Sequence, residues 1–487
     1  MSVRRSPLEL DPETFRALGH QLVDELTMLL EELQSPARRP VVPEQTPADV
    51  HAALGDAPLP EEGSDPDEVL REATRLLLDR SLYPGHPRFW GYVVGAPAPL
   101  GVLGDLLASG VNPNVGGWPL APIATAIEQQ TVRWIGELLG YPAGDGILVS
   151  GGNMANLVGF LAGRRAKSSW DIRAQGIGDR RIRAYCSAET HTWVQKAGDM
   201  FGLGTDGIRW IETDEEQRMR PDALRDALAA DRAAGDLPLL VVGTAGSVST
   251  GAVDPLPELR SVCDEEDLWF HVDGAYGGFA ACLRDAPADL YGLRDADSLA
   301  IDPHKWLYAP LEAGATLVRD PDALVNAFAY RPPYYHLDDE TVNYFERGPQ
   351  NSRGFRALKV WLQLRQAGRL GYVESIGEDC RLARLLYELC EADPELEART
   401  HNLSIATFRL RPPGVEGEAL DRLNEELLER LQAGGEAFVS NAVIDGSYFL
   451  RACIVNFRTT EDDIRALPEI VKRVGSELLA VVRTASS

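Results

Sequence analysis

Cysteine is scarce and scattered in this chain. Its 487 residues include six cysteines, at positions 186, 263, 282, 380, 390 and 453. None forms a CxxC pair and none has zinc-ligand spacing, so neither a metal site nor a disulfide scaffold is expected. Long apolar runs are also missing: nothing reaches the roughly 18 residues a spanning helix needs. The opening stretch, MSVRRSPLELDPETF, lacks the apolar core of a secretory signal. The expected compartment is therefore the cytoplasm, with no membrane partner. Positive charge is short as well, 48 Lys and Arg against 74 Asp and Glu, giving a net charge of -26. Phosphate backbones and anionic lipid repel such a polyanion, which argues against nucleic acid as a partner.

What is present is patterned. The length implies more than one domain. Asp11-Pro12 caps a helix whose apolar positions run through Leu22, Leu26, Leu29 and Leu30. The Pro-rich stretch 36–60 reads as an extended arm, and a second helix spans 67–80. The middle of the chain alternates short apolar runs with helical patterns. Strands are expected at 146–149, 183–186, 209–212, 239–242, 268–272, 298–301 and 315–318, with helices at 122–139 and 153–164 between them. Strands separated by helices give a mainly parallel sheet covered on both faces. Its ligand belongs beyond the carboxyl ends of the strands. Past residue 355 the pattern turns helical, at 355–367 and 379–391. Strands at 404–410 and 448–456 then bracket a helix at 418–433, and a last helix covers 461–482. The expected division is an N-terminal helical arm, 1–95, a large domain, 96–370, and a small C-terminal α+β domain, 371–487.

Two strand ends carry the chemistry. In WFHVDGAYGG, Asp273 ends an apolar run and small residues follow, so a planar ligand can lie against the backbone. In IDPHKW, Lys305 follows another apolar run, and partial burial makes an amine nucleophilic toward aldehydes. A third element, LVSGGNMAN, is a small-residue turn from strand to helix whose exposed N–H groups suit a phosphate. It is neither a Walker loop nor GxGxxG, so it implies no nucleotide. Each element alone also fits an ordinary cap, ion pair or turn; together they point to one site.

The segments HVDGAYGG, DPHKWL, VSGGNMANLVGFLAGR, SAETHTWVQKA and GPQNSRGFRALKVW resemble the group II pyridoxal-phosphate decarboxylases, in the same order and over about residues 10 to 480. The resemblance implies an α/β protein of pyridoxal-phosphate fold type I, like aspartate aminotransferase, and a homodimer with shared active sites. It implies pyridoxal 5'-phosphate as cofactor, held by Lys305 as a Schiff base, with Asp273 on the ring nitrogen. Ala275 and His191 would flank the ring. Gly152, Asn153, Ser247, Asp302 and His304 would lie around its phosphate and oxygen side, and Ser352 and Arg353 would arrive from the partner subunit. Tyr334, in the loop YRPPYYH, would protonate the α-carbon after carbon dioxide leaves; the neighbouring Tyr335 is the alternative register. Tyr92, Asn114, Gly116, Trp118 and Arg353 would contact the substrate. Two positions depart from the aromatic-amino-acid enzymes of the family. Asp302 stands where Asn is usual, and would have to face a backbone donor or a cation rather than the phosphate. Gly116 leaves room where a bulky apolar residue is usual. The implied reaction is decarboxylation of an L-amino acid or a derivative, aromatic favoured. The rival on the same scaffold is oxidative deamination to aldehyde, ammonia and peroxide.

Overall fold

A computed structural model describes residues 6–331 and 341–485. Its centre is a seven-stranded sheet built from β1 (Asp145–Val149), β2 (Ile182–Ser187), β3 (Ile208–Ile211), β4 (Leu237–Thr244), β5 (Trp269–Asp273), β6 (Ser298–Ile301) and β7 (Gly314–Val318), in the order β1-β7-β6-β5-β4-β2-β3. Pairings from β3 to β6 are parallel, and β7 runs antiparallel to both of its neighbours. All seven strands fall where the apolar runs place them, within two residues at either end.

The runs are continuous rather than alternating because both faces are covered. In β4, Leu240 and Val242 join one core and Val241 the other; in β6, Ala300 joins one while Leu299 and Ile301 join the other. The helix Gly152–Lys167 lies across one face, against β4 to β7.

The small domain is a four-stranded antiparallel sheet of β8 (Leu396–Asn402), β9 (Ile405–Leu410), β10 (Ser440–Ile444) and β11 (Ser447–Cys453), in the order β10-β11-β9-β8. Helices Glu418–Gly434 and Glu461–Ala485 pack on it. Strands β8 and β10 were not anticipated. The two helices expected at 355–367 and 379–391 are one element, Ala357–Ala392, broken only at Gly368, whose φ is 61°. The expected boundary at 370 falls inside this element.

The N-terminal helix, Pro12–Glu32, starts on the Asp11 carboxylate, which accepts from the N–H groups of Glu13 and Thr14. The arm expected to be extended contains a helix, Pro47–Leu54, opened by a reciprocal cap between Thr46 and Asp49. Among the described residues no helix is long and apolar enough to cross a membrane.

Candidate active site

The register of the sheet brings the motifs together. Thr244 at the end of β4 pairs with Asp273 at the end of β5, and Asp273 pairs with Ala300, two residues before Asp302. The carboxyl end of β1 leads into Ser150-Gly151, and that of β2 into the 188–193 segment. These ends line one cleft of about 490 Å³. Its walls include Gly152, Asn153, His191, Asp273, Ala275, Asp302, His304 and Lys305, eight of the residues singled out from the sequence. A separate cavity of about 430 Å³, beside residues 283–289 and 401–403, holds none of them.

Asp273 is buried, and both of its oxygens are engaged. Oδ2 accepts from the Trp193 indole N–H at 2.7 Å, and Oδ1 from the Ala275 N–H at 3.1 Å. The carboxylate is thereby fixed in orientation at the strand end. Trp193 was not anticipated; it lies in the quoted segment SAETHTWVQKA, but only the fold shows its indole reaching Asp273. Behind it, His271 spans Ser298 Oγ at 2.7 Å and Asn156 Oδ1 at 2.8 Å, and burial pushes its imidazole down to about 4. It is a neutral brace for β5. His191 lies at the cleft wall, its Nδ1 accepting from the Trp193 N–H at 3.3 Å. Desolvation lowers its pKa, against the opposing pull of Asp273, so it is mainly an uncharged ring near neutral pH.

Lys305 stands on the short turn Pro303–Trp306. Its Nζ lies 3.0 Å from Asp302 Oδ2. Asp302 thus faces a cation, one of the two solutions its charge allowed, and that cation is the expected cofactor lysine. Among the described residues the other oxygen, Oδ1, is buried without a hydrogen-bond partner. His304 Nε2 is 3.8 Å from Oδ2, while its Nδ1 pairs with the Ala313 carbonyl at 2.6 Å. Burial lowers the His304 pKa. Opposite Asp302, the helix Gly152–Lys167 opens after Gly151, whose φ of 101° favours glycine. A Cβ at Gly152 would sit 2.6 Å from Asp302 Oδ2 and 3.1 Å from the Ala275 Cβ. The bare backbone keeps this corner open at the positive end of the helix.

Other expectations land elsewhere in the chain. Ser247 is buried, pairs with Thr250 Oγ1 at 3.0 Å and does not line the cleft. Ser352 is exposed on the surface. The Arg353 guanidinium, expected at the substrate, is committed inside its own chain. It donates to Glu128 at 2.5 and 3.2 Å, to the Leu148 carbonyl at 2.6 Å and to the Val115 carbonyl at 2.8 Å. The side chains of Arg353 and Glu128 are 1% and 0% exposed. Asn114 accepts from the backbone N–H groups of Gly116 and Arg353, and Trp118 donates its N–H to Asn343. Gly116 does not make room for a substrate: a Cβ there would meet the Asn351 carbonyl at 2.0 Å. Two backbone segments pass too closely for any side chain. Tyr92 is more than half exposed, with its backbone tied to Ser440 and Arg451. None of Tyr92, Asn114, Gly116 and Trp118 lines the cleft of its own chain. Tyr334, with Tyr335 and His336, lies outside the described residues.

The family model for the pyridoxal-dependent decarboxylase conserved domain matches residues 47–411. An aromatic-L-amino-acid decarboxylase from Bacillus atrophaeus is 33% identical over 479 residues, 97% of each chain. A 4-hydroxyphenylacetaldehyde synthase from Rhodiola rosea is 30% identical over 476 residues, 94% of each. Among solved structures, Oryza sativa TDC with PLP and tryptamine superimposes with a TM-score of 0.90 at 27% identity, covering 98% of this chain and 100% of that one.

Proposed function

Since the chain belongs to the pyridoxal-dependent decarboxylase family, we propose that it removes the α-carboxyl group from an aromatic L-amino acid, releasing the amine. The observation that carries this reading is the placement of the Lys305 amine and the braced Asp273 carboxylate on the walls of one cleft. Pyridoxal phosphate is the cofactor, and the residues present fit it: an amine, an anchored carboxylate, the small Ala275 and the open corner at Gly152. When bound, it supplies an electron sink for the pair left behind by carbon dioxide.

The chain's own groups do the rest. Lys305 would hold the cofactor through its amine. Asp273, kept rigid by Trp193 and Ala275, holds a proton on the ring nitrogen. Ala275 and the uncharged His191, both on the cleft wall, would flank the cofactor's ring. The N–H groups of the Gly152–Asn153 turn would receive its phosphate, with His304 beside them. Tyr334 would deliver a proton to the α-carbon.

The working form is a homodimer in the cytoplasm, with Ser352 of one subunit near the site of the other. The helix Pro12–Glu32 buries none of its residues and leaves Phe15 and Met28 exposed, and Pro99–Val111 leaves Leu103, Leu106 and Leu107 exposed. A second copy would cover these faces. The six cysteines are free thiols, in keeping with a reducing compartment. Light scattering that finds a fully active monomer overturns the assembly.

One relative is named an aldehyde synthase, so the oxidative outcome is the second reading. A panel of aromatic and acidic amino acids, read in parallel for carbon dioxide, amine, aldehyde, dioxygen and peroxide, decides between the two. Equal amine and carbon dioxide with little peroxide supports decarboxylation. Dioxygen consumed in step with carbon dioxide release supports the alternative. Tyr334→Phe should divert flux toward aldehyde; if only Tyr335→Phe does so, the donor is the neighbouring tyrosine.

A further inference from the structure

Behind Lys305, away from the cleft, lies a buried carboxylate that the reaction does not use. Asp379 belongs to the segment of helix Ala357–Ala392 that follows the Gly368 break. Its Oδ2 accepts two hydrogen bonds, from the Trp306 indole N–H at 2.9 Å and from the Tyr308 hydroxyl at 2.8 Å. These donors sit one and three residues after Lys305, so both side chains of the turn are drawn onto one oxygen atom. Tyr308 holds a left-handed backbone, φ 55°, a conformation a tyrosine keeps only when its surroundings fix it. The same helix fixes the turn twice more, through Gln363 on the Tyr308 carbonyl at 3.0 Å and Tyr372 on the Leu307 carbonyl at 3.2 Å. The Trp306 ring stacks on Tyr276 with centroids 4.9 Å apart, and Tyr276 is three residues past Asp273. The lysine and the aspartate of the cleft thus share one rear support.

We propose that Asp379 is the positioning residue for Lys305, setting where its amine stands relative to Asp273. This rests on Lys305 carrying the cofactor.

The test compares Asp379→Leu, which removes the acceptor, with Asp379→Asn, which can keep a carbonyl facing both donors. Each is purified with pyridoxal phosphate bound. The pH midpoint of the cofactor's visible band and the separate kcat and KM values for the amino acid are then measured. Asp379→Leu should lower kcat by about tenfold or more, as expected for a misplaced reacting group. It should leave KM within a small factor and shift the band midpoint, and Asp379→Asn should restore most of both. Wild-type kcat and an unmoved midpoint in a folded, loaded Asp379→Leu protein overturn the proposal. If that variant does not fold, Trp306→Phe and Tyr308→Phe each remove one donor, the second keeping its ring and the first leaving a smaller one. A shifted midpoint in both supports the role, and an unshifted midpoint in both removes it. A band that borohydride fixes to another lysine would instead overturn the functional reading itself.

Discussion

The Glu128–Arg353 pair gives the sharpest test of how this chain is assembled. The family resemblance makes Arg353 a substrate ligand, whereas its contacts make it a structural rivet. Its guanidinium holds the Glu128 carboxylate and the carbonyls of Leu148 and Val115, while Glu128 also accepts from the Leu148 N–H at 2.9 Å. Leu148 belongs to β1, two residues before the Ser150-Gly151 turn. Removing one member of a buried ion pair leaves the other charge uncompensated, at a cost of about 3–5 kcal/mol. That is a factor of roughly 10² to 10⁴ in the ratio of folded to unfolded protein. Arg353→Met and Glu128→Met should each lose stability on this scale in urea unfolding followed by circular dichroism. Protein concentration must be held fixed, because any self-association would add to stability. The double variant removes both charges together, so its loss should fall well short of the sum of the two, leaving mainly the unpaired backbone groups of Leu148 and Val115. KM for the amino acid should change little in whatever folded enzyme remains. An unchanged urea midpoint in Arg353→Met, together with a KM raised tenfold or more, would refute the reasoning and return Arg353 to the substrate.

Three further outcomes are expected. Trp193→Phe removes the 2.7 Å bond to Asp273; a hydrogen bond to a charged group contributes about 1.5–3 kcal/mol, so cofactor retention or turnover should fall by about tenfold or more, and fluorescence titration with rate assays would show it. Gly116→Ala should lower the melting temperature through its clash with the Asn351 carbonyl, without narrowing the range of amino acids accepted in the substrate panel. Burial raises the Asp379 carboxyl to about 7, so its contribution to stability is complete below about pH 4, where the unfolded group also binds its proton, and is lost as pH rises toward 7. This is worth up to roughly 4 kcal/mol. Asp379→Asn should therefore flatten the fall in stability between pH 4 and 7, and an identical pH profile would contradict it.

The central sheet was readable because strands buried on both faces are continuous apolar runs bounded by helices. The small sheet was less so. In β8, LEARTHN, most side chains are only partly buried, and β10, SNAVI, is five residues long and opens on a Ser-Asn pair suited to a turn. The helix at 47–54 had its signal in Thr46-Pro47-Ala48-Asp49, masked by the prolines around it. At the site, Asp273, Lys305 and the 151–153 turn were legible because strand ends and small residues leave marks in sequence. The Trp193 indole, the burial of Arg353 and the close pass at Gly116 depend on segments far apart in the chain meeting in space. No local pattern records that.

The helix Ala357–Ala392 has a consequence for how the protein can come apart. Before Gly368, Ala357 and Val360 sit in the core of the large sheet; beyond it, Tyr372 and Ile376 still belong to that core, and only Leu382 to Cys390 enter the core of the small sheet. A chain cut after residue 370 would therefore strip the large sheet of part of its own packing, as well as of Asp379 and Tyr372 behind the lysine turn. The core of the large sheet also takes in Ile405 of β9 and Cys453 of β11, so the two sheets share packing as well as a spine. They should melt in a single transition, and an isolated large sheet should be unable to present Lys305 at all.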